Sequence, residues 1–305
     1  MLRYLAQRVA YMVPVVWLVV SVVFLLIHLV PGDPIQQMLG EGAAVNDLQA
    51  ARHAYGLDVP IGKQYVNYWK GALHGDLGKS IRLNQPVAKT IAQAYPPTIL
   101  LTFAALFVAL CLSIPAGVHS ALHRNQWSDR LLSFVTLLGL SFPNFALGPI
   151  LILFFAIKLG FLPVSGIGTF EHLVLPAITM GGALAAILAR MVRTSMLEEL
   201  SQDYIRTARA KGLPERTVVY RHALRNALIP VLTVVGLQFG ALLAGAIVTE
   251  TIFSWPGIGR LTITAINNRD YFLVEGCILA IGLTYVAVNF LTDLLYSAVN
   301  PRIRA

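Results

Sequence analysis

The stretch DYIRTARAKGLPERTVVYRHALRNALIP, from Asp203 to Pro230, concentrates the cationic chemistry of this chain. It carries Arg206, Arg209, Lys211, Arg216, Arg221 and Arg225, and Gly212-Leu213-Pro214 interrupts it. Fixed cations on a short, sharply ended segment suit recognition of an acidic surface, or retention on one side of a membrane. The other polar candidates sit within or at the ends of apolar runs: Ser141, Asn144, Gln238 and Glu250. Such side chains either line a solute path or join two helices by hydrogen bonds. Glu275 and Asp293 lie near opposite ends of the last apolar run, and no charge occupies the centre of a run, which argues against an ion relay. No nucleophile–base pair or carboxylate pair stands out, and the seven His show no metal-ligand spacing. The G-x-x-x-x-G-K-[ST] phosphate loop is missing, and Gly166 with Gly168 makes only a fragment of a dinucleotide pattern. The chain is therefore expected to be no enzyme, to hold no metal and to bind no ATP or Mg itself.

The elements that position these residues follow from composition. The chain is 56% hydrophobic and 12% charged, against about 25% charged in an ordinary soluble domain. Six apolar segments approach membrane-crossing length: Val9–Val30, Thr98–Leu122, Leu131–Ile157, Leu173–Ala189, Ala227–Val248 and Phe272–Leu291. The third contains Pro143 and Pro149 and is expected to be kinked or partly re-entrant. The expected fold class is an all-α membrane protein with six transmembrane helices. Arg3 and Arg8 precede an apolar run longer than a signal-peptide core, so the first segment reads as a retained span. Cys111 and Cys277 lie inside apolar runs and read as small apolar side chains. The net charge of +8 reads as cytoplasmic Lys and Arg of a membrane protein rather than a nucleic-acid surface.

Six spans place both termini on one side. Arg3 and Arg8, Arg124 and Arg130, the 190–225 arginines with Lys211, and Arg302 and Arg304 all fall in short segments on that side. Both termini are accordingly expected in the cytoplasm, with 31–97 as an extracytoplasmic loop and 201–225 as a cytoplasmic loop of a single 1–305 membrane domain. In the outer loop Tyr65, Trp69, Ala72 and Leu73 recur at helical spacing, as expected of a helix lying along the membrane surface or receiving an external partner.

Within the basic loop, Asp203 is expected to cap a helix starting at Tyr204. Gly212 supplies a left-handed stop and Pro214 blocks continuation. Two readings follow, a positive-inside anchor or a docking element whose small residues allow close approach. The segment resembles the cytoplasmic loop of ABC-transporter permeases: Ala208 and Gly212 match its signature, and Ile229-Pro230 is similar to its end. Arg206 and Thr207 stand where the general signature has Glu and Ala, as in the dipeptide, oligopeptide, glutathione and nickel branch. HLVPGDP, YGLD, GDLGKSI, LSFPNFALG, ETIFSWPGIGR, NRDY and DLLYSAVNPRIR resemble that branch in the same order along nearly the whole chain.

The resemblance implies a type I ABC importer permease in the bacterial plasma membrane. It implies a heterodimer with a sister permease, two ATPase subunits that bind ATP and Mg, and an extracytoplasmic solute-binding protein. The ATPase-coupling residues would be Tyr204, Arg206, Thr207, Ala208, Arg209, Lys211, Gly212 and Leu213, with Ala208 and Gly212 packing closely and the basic side chains meeting acids on the ATPase. The cargo would be dipeptides or oligopeptides, including glutathione, or else nickel or a nickel chelate. A stand-alone secondary transporter is the competing class and would have no use for the 203–213 helix.

Overall fold

The computed structural model describes residues 2–29, 35–36, 44–54 and 56–299. HLVPGDP beyond Leu29, the side chains of Asn144 and Asp293, and the Arg302–Arg304 tail fall outside what is described. The described chain is helical, apart from turns and one isolated bridge between Lys79 and Pro86. Its helices are α1 Leu2–Leu29, α2 Val45–Ala54, α3 Ile61–His74, α4 Val87–Leu122, α5 Trp127–Ser141, α6 Asn144–Leu151, α7 Glu171–Leu200, α8 Asp203–Ala210, α9 Leu224–Ile252, α10 Ile258–Asn267 and α11 Tyr271–Val299. Wide π-helical turns extend α6 through Ile152–Lys158 and lead into α9 over Val218–Ala223.

Among the described residues all six expected segments fall on helix, apart from the break at Phe142 and Pro143 in the third. Three helices, α4, α7 and α11, are long and apolar enough to cross a membrane, as is the continuous run Glu215–Leu243 that enters α9. The fifth candidate is α5 paired with Phe145–Lys158, bent by 109° at a break, which is a broken span or a re-entrant loop. Phe142 and Pro143 at that break are both extended; proline forces its predecessor out of helical geometry. The first segment holds a shorter apolar helical stretch, Ala10–Leu25, within α1. Several helices outrun their apolar segments. The fourth, for example, continues past Ala189 through Arg190, Arg193, Glu198 and Glu199 to Leu200; such straight-chain charged residues are good helix formers.

The chain divides into two compact units, residues 1–98 with 256–287, and residues 99–255 with 288–305. In the first, α4, α10 and α11 share a core of Val87, Ile91, Ala94, Ile258, Ala265, Leu273 and Cys277. Val20, Val23 and Leu279 form a second cluster, onto which Tyr68, Trp69 and Ala72 of α3 pack. The inward face of α3 is therefore Tyr65, Tyr68, Trp69 and Ala72, with Tyr65 hydrogen-bonded to Ser21 at 2.7 Å. Leu73, expected on that face, is instead 76% exposed. Buried Asp270 ties two of the sequence motifs together, accepting from the Ser80 hydroxyl and from the backbone N–H groups of Ile81, Arg82 and Leu273.

In the second unit α7 is central: 61% of its most apolar stretch is buried, against 22% to 28% for the other long spans. Gly117 and Gly181 let α4 and α7 approach closely. A Cβ on Gly181 would lie 2.4 Å from the Ala105 carbonyl oxygen, and one on Gly117 would lie 2.6 Å from Val192. Small residues at such crossings are how helices pack in a membrane, where apolar burial alone does not drive association.

Candidate functional site

The site is α8 and its two flanks. Gln202, extended at φ −71° and ψ 151°, caps the helix without a side-chain hydrogen bond. Asp203 is already the first helical residue, which corrects the expected cap. Its charge there still meets the positive end of the helix, and it lies 3.6 Å from Arg206. The C-terminal end follows the sequence reading. Gly212 has φ +75°. Its N–H donates to the Arg209 carbonyl at 2.9 Å and that of Leu213 to the Ala208 carbonyl at 3.3 Å. That reciprocal pair needs a left-handed residue, which glycine adopts without a Cβ penalty. Pro214 then opens the turn Glu215–Thr217.

The two faces of α8 differ. Ile205 and Ala208 are buried in one apolar cluster with Leu188, Val192 and Met196 of α7 and with Val218, Val219 and Ala223 ahead of α9. The small size of Ala208 is thus used against its own chain, which corrects the expectation that it packs on a partner. Arg206, Thr207, Ala210, Lys211 and Gly212 point outward, and Leu213 is 38% exposed. Arg209 is already committed: its guanidinium donates twice to Glu215, at 2.6 and 3.1 Å, across the Gly-Leu-Pro turn. Arg206, beside Asp203 but 75% exposed, and Lys211 face outward without a partner across the turn. Tyr204 braces the helix from the side. Its hydroxyl donates to Glu199 at the end of α7 and accepts from the Asn226 amide at 3.0 Å. Partial burial, then the neighbouring Glu199 carboxylate, raise the phenol's pKa, so it stays protonated.

The candidate pathway residues do not converge among the described residues. The Ser141 hydroxyl donates to the Leu137 carbonyl at 2.9 Å within its own helix. Asn144 is the first residue of α6, immediately after the proline break. Gln238 lines a cavity of about 190 Å³ with Met180, Ala183, Leu184, Ile187, Ala241 and Leu242. Glu250 is fully buried. Sequence reasoning missed the clamp behind the site. Asp129 accepts two hydrogen bonds from Arg193, both 2.8 Å, one from the Asn125 N–H at 2.8 Å, and one from Ser120. The partners lie 64 residues apart, and only the fold pairs them.

Several helices long and apolar enough to cross a membrane, with a firmly seated basic surface helix, define a multi-pass membrane protein. Residues 113–305 match the family described as binding-protein-dependent transport system inner membrane component, and residues 1–102 match its N-terminal companion. The chain belongs to this family. It is 43% identical over 304 residues to the glutathione transport system permease protein GsiC of Escherichia coli K12, covering 100% of this chain and 99% of that one. The GsiC protein of Shigella flexneri serotype 5b gives the same identity and coverage. Among solved structures, inward-facing MetNI methionine ABC transporter structures superpose with TM-scores of 0.55 and 0.57 at 21% and 20% identity, covering 69% of this chain and 96% of theirs. An amino acid ABC transporter solved with histidines gives 0.52 at 14% identity, covering 69% of this chain and 94% of its own. The fold is that of a type I ABC importer permease. The protein is a multi-pass inner-membrane permease subunit and is not catalytic; ATP hydrolysis belongs to partner ATPases.

Proposed function

We propose that this chain forms, with a sister permease, the path for dipeptides and oligopeptides, glutathione among them, delivered by an extracytoplasmic binding protein. Two relatives at 43% identity, each named a glutathione transport permease, support the cargo class. Their matches run the full length of this chain, so the likeness is not confined to the loop that such permeases share. The basic short segments favour cytoplasmic termini, a cytoplasmic 201–225 loop and an extracytoplasmic 31–97 loop. Helices α4 and α11 each carry residues of both compact units, which favours one working domain over 1–305.

The observation that carries the coupling role is the two-sidedness of α8. Ile205 and Ala208 bind it to the bundle, while Arg206, Thr207, Lys211, Gly212 and Leu213 form a small, basic outer surface. Two ATPase subunits dock on this loop and its counterpart in the sister chain. Arg206 and Lys211 meet acidic groups, Tyr204 and Arg209 hold the loop's shape, and movement of α8 is passed to α7 and α9. The assembly then exchanges inward- and outward-facing states as ATP binds to the partners. In the reconstituted assembly, Thr207→Trp and Gly212→Trp should each lower ATP-driven uptake by about tenfold or more, with membrane insertion unchanged. Both bulky groups would project outward; nothing lies within 4 Å of a Cβ at Gly212, but its φ of +75° strains any residue with a Cβ, so Thr207→Trp is the variant that separates docking from damage to the cap. Normal uptake by both variants would remove α8 from the docking surface.

A further inference from the structure

The first compact unit contains a cavity of about 240 Å³ that neither coupling nor the candidate path uses. Phe24 of α1, Asn67 and Tyr68 of α3, Asp76, and Phe272 and Glu275 of α11 line it. Glu275 is only 8% exposed, and no ion pair reaches it among the described residues. The Tyr68 hydroxyl is buried beside the Glu275 carboxylate, with which it interacts, and no other partner for it is seen among the described residues. A single hydroxyl partner does not offset the cost of burying a carboxylate.

Several of the other polar groups around the cavity are already engaged. His28 is engaged with the Phe24 carbonyl and Gln64, at 3.0 and 3.2 Å. The Gln64 amide donates to the carbonyls of Leu57 and Val59. Asp76 spends one oxygen on the Gly78 N–H at 3.0 Å and keeps the other. What remains is rich in acceptors: the Glu275 carboxylate, one Asp76 oxygen and the lone pairs of the Tyr68 oxygen, with the Asn67 amide able to donate or accept. The rings of Phe24, Tyr68 and Phe272 flank it, and aromatic faces attract cations. No group of three His, Cys, Asp or Glu suited to a metal ion occurs among the described residues. Three hydrogen-bond donors on one compact positive charge fit this set.

We infer that this cavity binds a primary ammonium group, with Glu275 as its counter-ion and the Tyr68 oxygen as a second acceptor. Two sources carry that chemistry, the amino terminus of a small peptide and a phosphatidylethanolamine headgroup. The first rests on the peptide reading above and the second does not.

The test uses the purified assembly of this chain, its sister and the ATPases in phosphatidylcholine nanodiscs, without the binding protein. Dialanine, N-acetyl-dialanine and methylammonium are titrated by calorimetry. A parallel preparation in mixed phosphatidylcholine–phosphatidylethanolamine nanodiscs is scored for retained phosphatidylethanolamine by native mass spectrometry. A peptide site predicts dialanine binding, competition by methylammonium, and about tenfold or greater weakening on N-acetylation or in Glu275→Gln, with a smaller loss in Tyr68→Phe. A lipid site predicts no dialanine binding but retained phosphatidylethanolamine that Glu275→Gln releases. Methylammonium binding that depends on Glu275 sustains the site even if the assembly imports no peptide. The inference is overturned if neither methylammonium, dialanine nor phosphatidylethanolamine separates the native protein from Glu275→Gln. The acetylation comparison is made on the native chain, so a folding defect in a variant cannot imitate it.

Discussion

Two short surface helices, α8 and α3, are attached in opposite ways. Helix α8 spans only eight residues, yet buries Ile205 completely and Ala208 almost so, ends in a reciprocal backbone cap, and is braced through Tyr204 and Arg209. Helix α3 spans 14 residues and has none fully buried. It is held by half-buried aromatic edges: Tyr65 to Phe24 at 5.3 Å between ring centroids, and Tyr68 to Phe24 at 5.7 Å. The first design transmits displacement, because a side chain locked in a close-packed core cannot lag behind its helix. The second covers apolar surface and leaves room beneath it, where the Glu275 cavity lies.

The most damaging way to break this contrast is Ile205→Ala. Removing a buried isoleucine side chain costs about 3 kcal/mol, and at this position the loss falls on the joint between α8 and the α7–α9 bundle. The outer basic surface is untouched, so the ATPases should still dock and hydrolyse ATP. Uptake per ATP hydrolysed should fall by about tenfold or more. Parallel measurement of both rates in proteoliposomes decides the point, and an unchanged ratio would show that α8 does not act through this contact.

Trp69→Ala is the matching change in α3, with a smaller expected effect. Trp69 is half-buried against Val20, Val23 and Leu279, so truncation exposes part of one apolar face, about 1 to 2 kcal/mol. The thermal midpoint should drop modestly while the ratio of uptake to hydrolysis stays near the native value. A coupling defect as large as that of Ile205→Ala would erase the distinction between the two helices.

The same contrast explains which parts could be read in advance. The end of α8 was legible because Gly212 and Pro214 act locally, each through its own backbone restriction. The break in the third span was legible from Pro143 for the same reason. The N-cap was misplaced by one residue because Asp203 is as favourable at the first helical position as at the cap. The inward turn of Ala208 could not be read, since a small residue suits both a partner's surface and the chain's own core. The Asp129–Arg193 clamp and the acceptor-rich cavity around Glu275 were also hidden. Each assembles side chains from distant segments, and a sequence period records which face is apolar without recording what that face will meet.

The gentlest probe is the link between α2 and α3. His53 Nδ1 lies 2.7 Å from Asp58 Oδ2, and both side chains are exposed. Hydrogen bonding to Asp58, then its charge, raises the His53 pKa above the ordinary 6.5, while the same bond to His53 lowers that of Asp58. The sign follows directly. The raised His53 contributes fully below its ordinary pKa and loses that contribution as pH rises through the raised value. The lowered Asp58 contributes above its ordinary pKa and loses it as pH falls through the lowered value. The contact is therefore strongest at mildly acidic pH, between those limits, and salt should weaken it because water surrounds both groups. In an NMR titration of the nanodisc-embedded protein, Asp58→Asn should return the His53 midpoint toward 6.5, with uptake unchanged. A His53 midpoint indifferent to both Asp58→Asn and added salt would mean that the link is held by the backbone turn, where the Leu57 N–H donates to the Arg52 carbonyl at 2.9 Å, and that this surface gains no stability from charge.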